Sequence, residues 1–336
     1  AAEELKKDRE VVLAAVQQHG YWVLQFAAKE LIDWDVVYRR LPQITAIDDI
    51  AERPFFRKII SHASFDEFWR SYGLKGKYPE VETPAYFITG WYDNLLHEGF
   101  KCFRGWKEES RTGDCRRLTR MMIGPWRHQE IGGAEPFGDI EFGPQASVNM
   151  PAEHLRWYDQ RLRCIDTGID DDPPVRIFVM GENMWRSEEA WPLARSIYTK
   201  FFLHSDGHAN TAAGDGTLSH AEPTQEPTDV YNYDPEDPVP THGGQCLFPE
   251  STGPKDRRSV QQREDVLVYS TPQLDADIEV TGPVELVLYA SSSAPDTDFT
   301  GTLVDVHPDG KAIHICEGIV RARFRDSYED PTLIEP

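Results

Sequence analysis

Two short motifs in this chain carry side chains suited to proton transfer: Gly90-Trp91-Tyr92-Asp93 and Gly124-Pro125-Trp126-Arg127-His128. Each closes a short apolar run, so each delivers one titratable group to the end of a segment that reads as a buried strand. An imidazole serves as a general base when one ring nitrogen is free and the other is held as a donor. A carboxylate that accepts from that N–H fixes the tautomer and stabilises the imidazolium. Asp93 and His128 are the right types for those two roles and read together as the acid and base of a hydrolase triad. Singly, each has an ordinary alternative: Asp93 as a helix N-cap after a strand, His128 as a surface-loop histidine.

The elements that must position the pair follow from the apolar pattern. Ala85-Tyr86-Phe87-Ile88-Thr89, bounded by Pro84 and Gly90, predicts a strand buried on both faces. Asn94 to Ser110 carries Leu95, Phe100, Phe103 and Trp106 at helical spacing, and Leu118 to Ile123 predicts a second buried strand ending at Gly124. This is one β-α-β crossover. Catalytic groups of open α/β sheets gather outside the carboxyl ends of the strands, so the two side chains can converge across it. The third role is unfilled. In α/β-hydrolases the chain order is nucleophile, acid, base, with the serine on a G-x-S-x-G elbow upstream of the acid. No G-x-S-x-G occurs in these 336 residues, and Ser61, Ser64 and Ser71 lack the glycines that a strained strand-to-helix turn needs.

Around this unit the chain divides into three blocks. Residues 1–80 are helix-rich, with strong helix formers from Ala2 to Gln18 and a further segment at Trp34 to Arg40, and are expected to form a cap. Residues 81–170 hold the strand and helix units and end with a helix over about Ser147 to Cys164. Asp170-Asp171-Asp172-Pro173-Pro174 then breaks the pattern, and residues 171–336 alternate short β-rich runs with Gly, Pro and Asp turns: Val175 to Met180, Ile197 to Leu203, Val266 to Tyr269, Val284 to Ala290 and Ile313 to Val320. An all-β sandwich is the expectation for this last block. Leu247-Phe248 follows Gly243-Gly244 in one of its loops, where two adjacent large apolar side chains would be costly to leave in water. Trp91 and Trp126, which flank the acid and the base, are expected to pack the core or line the pocket.

Several stretches together resemble the cocaine esterase and X-Pro dipeptidyl-peptidase hydrolases of the CocE/NonD type. They are His62-Ala63-Ser64-Phe65-Asp66-Glu67-Phe68-Trp69, the two motifs above, Val179-Met180-Gly181-Glu182-Asn183-Met184-Trp185-Arg186, Tyr233-Asp234-Pro235-Glu236-Asp237-Pro238-Val239-Pro240, Arg263-Glu264-Asp265-Val266-Leu267-Val268-Tyr269, Asp296-Thr297-Asp298-Phe299 and Val304-Asp305-Val306-His307-Pro308-Asp309-Gly310. The resemblance implies an α/β fold: a partial α/β-hydrolase core with a helical cap, followed by an all-β jelly-roll (galactose-binding-like) sandwich. It further implies a serine hydrolase of ester or amide bonds that works through an acyl-enzyme, with Asp93 and His128 as acid and base. The serine and oxyanion-hole donors would lie upstream of Ala1, and the sandwich would continue past Pro336, so the sequence is expected to be an internal fragment. Leu95, Leu247 and Phe248 match acyl-pocket positions. Relatives that hydrolyse α-amino-acid esters carry carboxylates just after the acid, whereas Asn94, Leu95 and Leu96 stand here. A neutral apolar acyl group is therefore expected ahead of α-amino-acid ester or X-Pro dipeptidyl-peptidase substrates. The reading of another class is an inactive binding fragment carrying a jelly roll.

Composition narrows the partners. The net charge of -22 argues against nucleic acid, since phosphate binding needs an excess of Lys and Arg. No apolar stretch approaches the ~20 residues of a membrane helix. Five cysteines without C-x-x-C spacing suggest reduced thiols and, weakly, a cytoplasmic setting. Asp296, Asp298 and Asp305 lack the spacing of a calcium loop, and His97-Glu98 does not begin an H-E-x-x-H because position 101 is lysine, so no metal is expected. The chemistry needs no cofactor. The expected partner is a small-molecule ester or amide, with no nucleic acid and no membrane, and a homodimer is compatible with the chain.

Overall fold

The computed structural model describes residues 54–247 and 250–335. The chain separates into two compact units, one comprising the chain up to Gly73 with Ala322–Glu335 and the other Leu74–Arg321. Most of the expected cap, residues 1–53, lies outside the described residues.

In the first unit, α1 (Pro54–Ser61) is followed by α2 (Glu67–Tyr72). Asp66 caps α2 by accepting from the Phe68 N–H at 3.0 Å, and its other oxygen faces His62 Nδ1 at 2.5 Å. Accepting these bonds holds the Asp66 carboxyl below its usual range, with His62 the main cause. The C-terminal segment joins this unit through the Phe65 N–H, which donates to the Tyr328 carbonyl at 2.7 Å, and through the Arg70–Glu329 ion pair at 3.0 Å.

In the second unit the β-α-β crossover forms as the spacing predicts: β1 (Tyr86–Tyr92), α3 (Leu96–Glu109) and β2 (Arg120–Arg127). A short helix, α4 (Gly113–Leu118), occupies the approach to β2, capped by the Thr112 hydroxyl on the Cys115 N–H. β1 and β2 pair in parallel, with Gly90 opposite Gly124. Every residue of β2 except its last is buried, which explains its near-continuous apolar reading. α5 (Met150–Leu162) leads from β2 towards β3 (Val175–Val179). The helix is capped by the Asn149 side chain on the Ala152 N–H.

The run Val175 to Met180, read from sequence as part of the sandwich, pairs instead with the hydrolase-type sheet. β3 lies parallel to β2 with Met121 opposite Val175, and β4 (Met184–Glu188) then closes that edge in antiparallel fashion. The sheet order is β1-β2-β3-β4. Leu96 and Phe103 of α3 pack against Met121, Ile123, Val175, Ile177 and Val179, so β3 supplies part of the core beneath the site.

Beyond β4 the pairing is sparser than the apolar runs suggest. β5 (Phe202–His204) pairs with β6 (Thr217–Ser219), and β7 (Asp298–Val306) pairs with β8 (Ala312–Arg321), both antiparallel. Ile313 to Val320 lies in β8 as expected. Ile197 to Leu203 contributes only its end to β5, Leu267 makes an isolated bridge with Asn210, and Val284 to Ala290 enters no ladder among the described residues. Apolar alternation marks extended backbone, but a strand also needs a hydrogen-bonded neighbour. Val284, Leu286, Val287 and Tyr289 are exposed. No helix among the described residues is long and apolar enough to cross a membrane.

Candidate active site

Two glycines bring the strand ends together. A Cβ on Gly90 would overlap the Trp126 backbone, and one on Gly124 would overlap the Trp126 ring, so only glycine at both positions lets β1 and β2 close at this level. Past that point the register slips: Gly90 faces Gly124, but Tyr92 faces Arg127. The extra residue on the β2 side is a bulge, which bends a strand and re-aims the side chains that follow it. Pro125 lies in the bulged segment and has no N–H to leave unpaired. His128 emerges beyond the bulge at the start of a 3₁₀ turn over His128–Glu130.

The outcome is a hydrogen bond between His128 Nδ1 and Asp93 Oδ1 at 3.0 Å. An ionised carboxylate can only accept, so in the neutral imidazole that bonds to it Nδ1 is the donor and Nε2 has the lone pair. Nε2 makes no hydrogen bond among the described residues, and the His128 side chain is 41 % exposed against 3 % for Asp93. The carboxylate is therefore buried while the imidazole is partly exposed. Three protein donors converge on the Asp93 carboxylate: Oδ1 accepts from His128 and from the Leu95 N–H at 2.8 Å, and Oδ2 accepts from the Thr89 hydroxyl at 3.2 Å. The Asp93 N–H also donates to the Gly90 carbonyl at 3.0 Å, closing the turn that carries it.

The flanking aromatics pack into this frame. Trp126 is buried and donates from Nε1 to the Ala146 carbonyl, and Trp91 donates to the Phe178 carbonyl of β3. Tyr92, buried among Phe137, Phe142 and Phe178, donates its hydroxyl to the His314 carbonyl of β8 at 3.1 Å. Leu95 and Leu247 are each 50 % exposed. Leu247 lies near His128, since its carbonyl accepts from the side chain of Gln129, the next residue, at 2.9 Å. Phe248 lies outside the described residues. Thr89, Gln129 and Gln245 are polar partners that the sequence does not flag. Only the position of Gln129 next to the base and of Thr89 four residues before the acid hints at them.

With that geometry in place, the comparisons decide the family. Residues 167–336 match the X-Pro dipeptidyl-peptidase C-terminal non-catalytic domain, and residues 18–130 match the X-Pro dipeptidyl-peptidase (S15) family. This chain belongs to the cocaine esterase and X-Pro dipeptidyl-peptidase family of hydrolases. Residues 1–32 also match a domain of unknown function. The chain is 38 % identical over 320 residues to the cocaine esterase of Rhodococcus sp. (strain MB1 Bresler), covering 92 % of this chain and 54 % of that protein. Among solved structures it is similar to an aminopeptidase from a marine sediment Thaumarchaeota archaeon, at 22 % identity and a TM-score of 0.69, covering 86 % of this chain and 48 % of that one. It is also similar to an α-amino acid ester hydrolase, at 22 % identity and a TM-score of 0.65, covering 87 % and 49 %. The fold of this family member is thus a partial α/β-hydrolase core followed by a C-terminal β-sandwich, and the chain spans about half the length of the relatives it matches.

Proposed function

We propose that Asp93 and His128 are the acid and base of a serine hydrolase that cleaves esters through an acyl-enzyme, the nucleophilic serine being supplied by sequence upstream of this chain. The observation that carries the reading is the 3.0 Å contact between His128 Nδ1 and a buried Asp93 that two further donors hold in place. In this reading the serine hydroxyl attacks the ester carbonyl as its proton passes to His128 Nε2. The imidazolium, stabilised by Asp93, returns that proton to the leaving alcohol, and the acyl-enzyme is hydrolysed by the reverse sequence with water. Family membership and the 38 % identity to a cocaine esterase support the ester class. No carboxylate follows the acid to receive a substrate ammonium, and Leu95 stands exposed in that place, which favours a neutral apolar acyl group.

The test is stopped-flow hydrolysis by the full-length protein of a neutral aryl ester and an X-Pro anilide. A burst of phenol close to one equivalent is expected with the ester, together with a preference for the ester over the anilide. His128→Ala is expected to abolish the burst without loss of the folded state. An active His128→Ala protein would remove the base assignment, and a preference for the anilide would place the activity with the dipeptidyl-peptidases.

A further inference from the structure

The segment Gln245-Cys246-Leu247 is held against both catalytic motifs at once. The Gln245 side-chain amide donates from Nε2 to the Trp91 carbonyl, two residues before the acid, at 3.0 Å. The Gln129 amide, one residue after the base, donates to the Leu247 carbonyl at 2.9 Å. One tether therefore runs from the segment to the acid strand, and the other runs from the base turn back to the segment. The root of the segment is rigid. Gly244 and Gly253 exchange both backbone hydrogen bonds at 2.9 Å, the Gly243 N–H donates to the Ser251 carbonyl, and the buried Thr252 hydroxyl donates to the Gly244 carbonyl. Gly243 and Gly244 take φ of +89° and +84°, where an L side chain would be strained, and a Cβ at Gly244 would overlap Glu317.

From this geometry we infer that Gln129 and Gln245 are positioning residues for substrate selection: they strap the segment beside the acid–base pair and so set where the exposed Leu247 side chain stands relative to His128. Neither amide touches the acid or base side chain. Both amides spend a donor on a main-chain carbonyl of a different element, which fixes a distance between elements rather than a charge in the site. The inference rests on the ester-hydrolase reading above. Its consequence is selective: loosening the segment moves the exposed Leu247 side chain relative to His128, which changes the ranking of large against small acyl groups and leaves the proton transfer of His128 in place.

The experiment measures kcat/KM of the full-length protein for a benzoyl and an acetyl aryl ester, in wild type, Gln129→Met, Gln245→Met and the double variant. Methionine keeps length and removes the donor. Loss of one neutral hydrogen bond corresponds to about a fivefold effect, so the benzoyl-to-acetyl ratio is expected to fall about fivefold in each single variant. The double variant is expected to fall by less than the product of the two single effects, because both amides hold the one segment. The pH midpoint of kcat/KM should not move, whereas a role in tuning the base would move it. An unchanged ratio in both single variants, an equal loss on both esters, or independent multiplication in the double variant would overturn the strap while leaving the hydrolase reading intact. A wild-type protein that turns over neither ester would overturn both.

Discussion

At the scale of single residues, the site depends on how completely one carboxylate is satisfied. Asp93 is 2 % exposed, and a buried carboxylate without donors is strongly destabilising. The Leu95 N–H and the Thr89 hydroxyl share its oxygens with His128, so they satisfy it and aim it. Thr89 is thereby a support for the acid, although it reads from sequence only as the last residue of an apolar run. Thr89→Val is close in shape and removes the donor. It is expected to lower kcat about tenfold to a hundredfold in the full-length protein, consistent with one hydrogen bond to a charged group. Asp93→Asn should cost far more, on the order of ten-thousand-fold, because the amide can hold the imidazole in the wrong tautomer. Steady-state kinetics on the aryl ester, with thermal melting as the control for folding, checks both. A Thr89→Val protein with wild-type kcat would mean that the Leu95 N–H and His128 suffice.

At the scale of elements, what is legible in the sequence is what periodicity and punctuation encode. Phe87 and Ile88 between Pro84 and Gly90, and Met121 to Ile123 ahead of Gly124, define two strands, and the spacing of Phe100, Phe103 and Trp106 defines the helix between them. The meeting of Asp93 and His128 follows from that order. The bulge after Gly90 is not legible, since it depends on how Pro125 and Trp126 pack across the ladder. Nor is the partner of Val175 to Val179, because an apolar run reads the same in a sandwich or a parallel sheet. Gln129 and Gln245 carry no periodic signal at all. The β7–β8 hairpin adds a feature visible only in three dimensions. The His314 ring is fully buried, and both ring nitrogens lack partners among the described residues. Burial, aided by Arg257 and His242, pushes its pKa down from 6.5 to about 4. The unfolded chain therefore binds the proton first as pH falls, so stability is full above about 6.5, erodes below it, and is lost progressively down to about 4, by up to about 3 kcal/mol. Urea midpoints of the full-length protein should fall across that window, and His314→Leu should flatten the profile. A wild-type midpoint that does not change between pH 7 and 4.5 would contradict this.

At the scale of the whole molecule, the chain holds the Asp93–His128 pair and the frame that aligns it, in about half the length of its relatives. Among the described residues β1 is an edge strand, since the sheet runs β1-β2-β3-β4, so the backbone groups on its outer side are not used by this sheet. In the proposed function the serine arrives from upstream sequence, and an acid–base pair alone cannot store an acyl group. A polypeptide limited to residues 1–336 is accordingly expected to release phenol from the aryl ester in a single slow phase without a burst. The full-length protein should give a burst close to one equivalent before its steady state. In that reading the two proteins differ in covalent capacity, so the amplitude is the informative quantity and the slow rate is not. A stoichiometric burst from residues 1–336 would place the nucleophile inside this sequence. Ser61, Ser64 and Ser71, the serines nearest upstream of Asp93, would then be the first to substitute, and the upstream-serine assignment would be withdrawn.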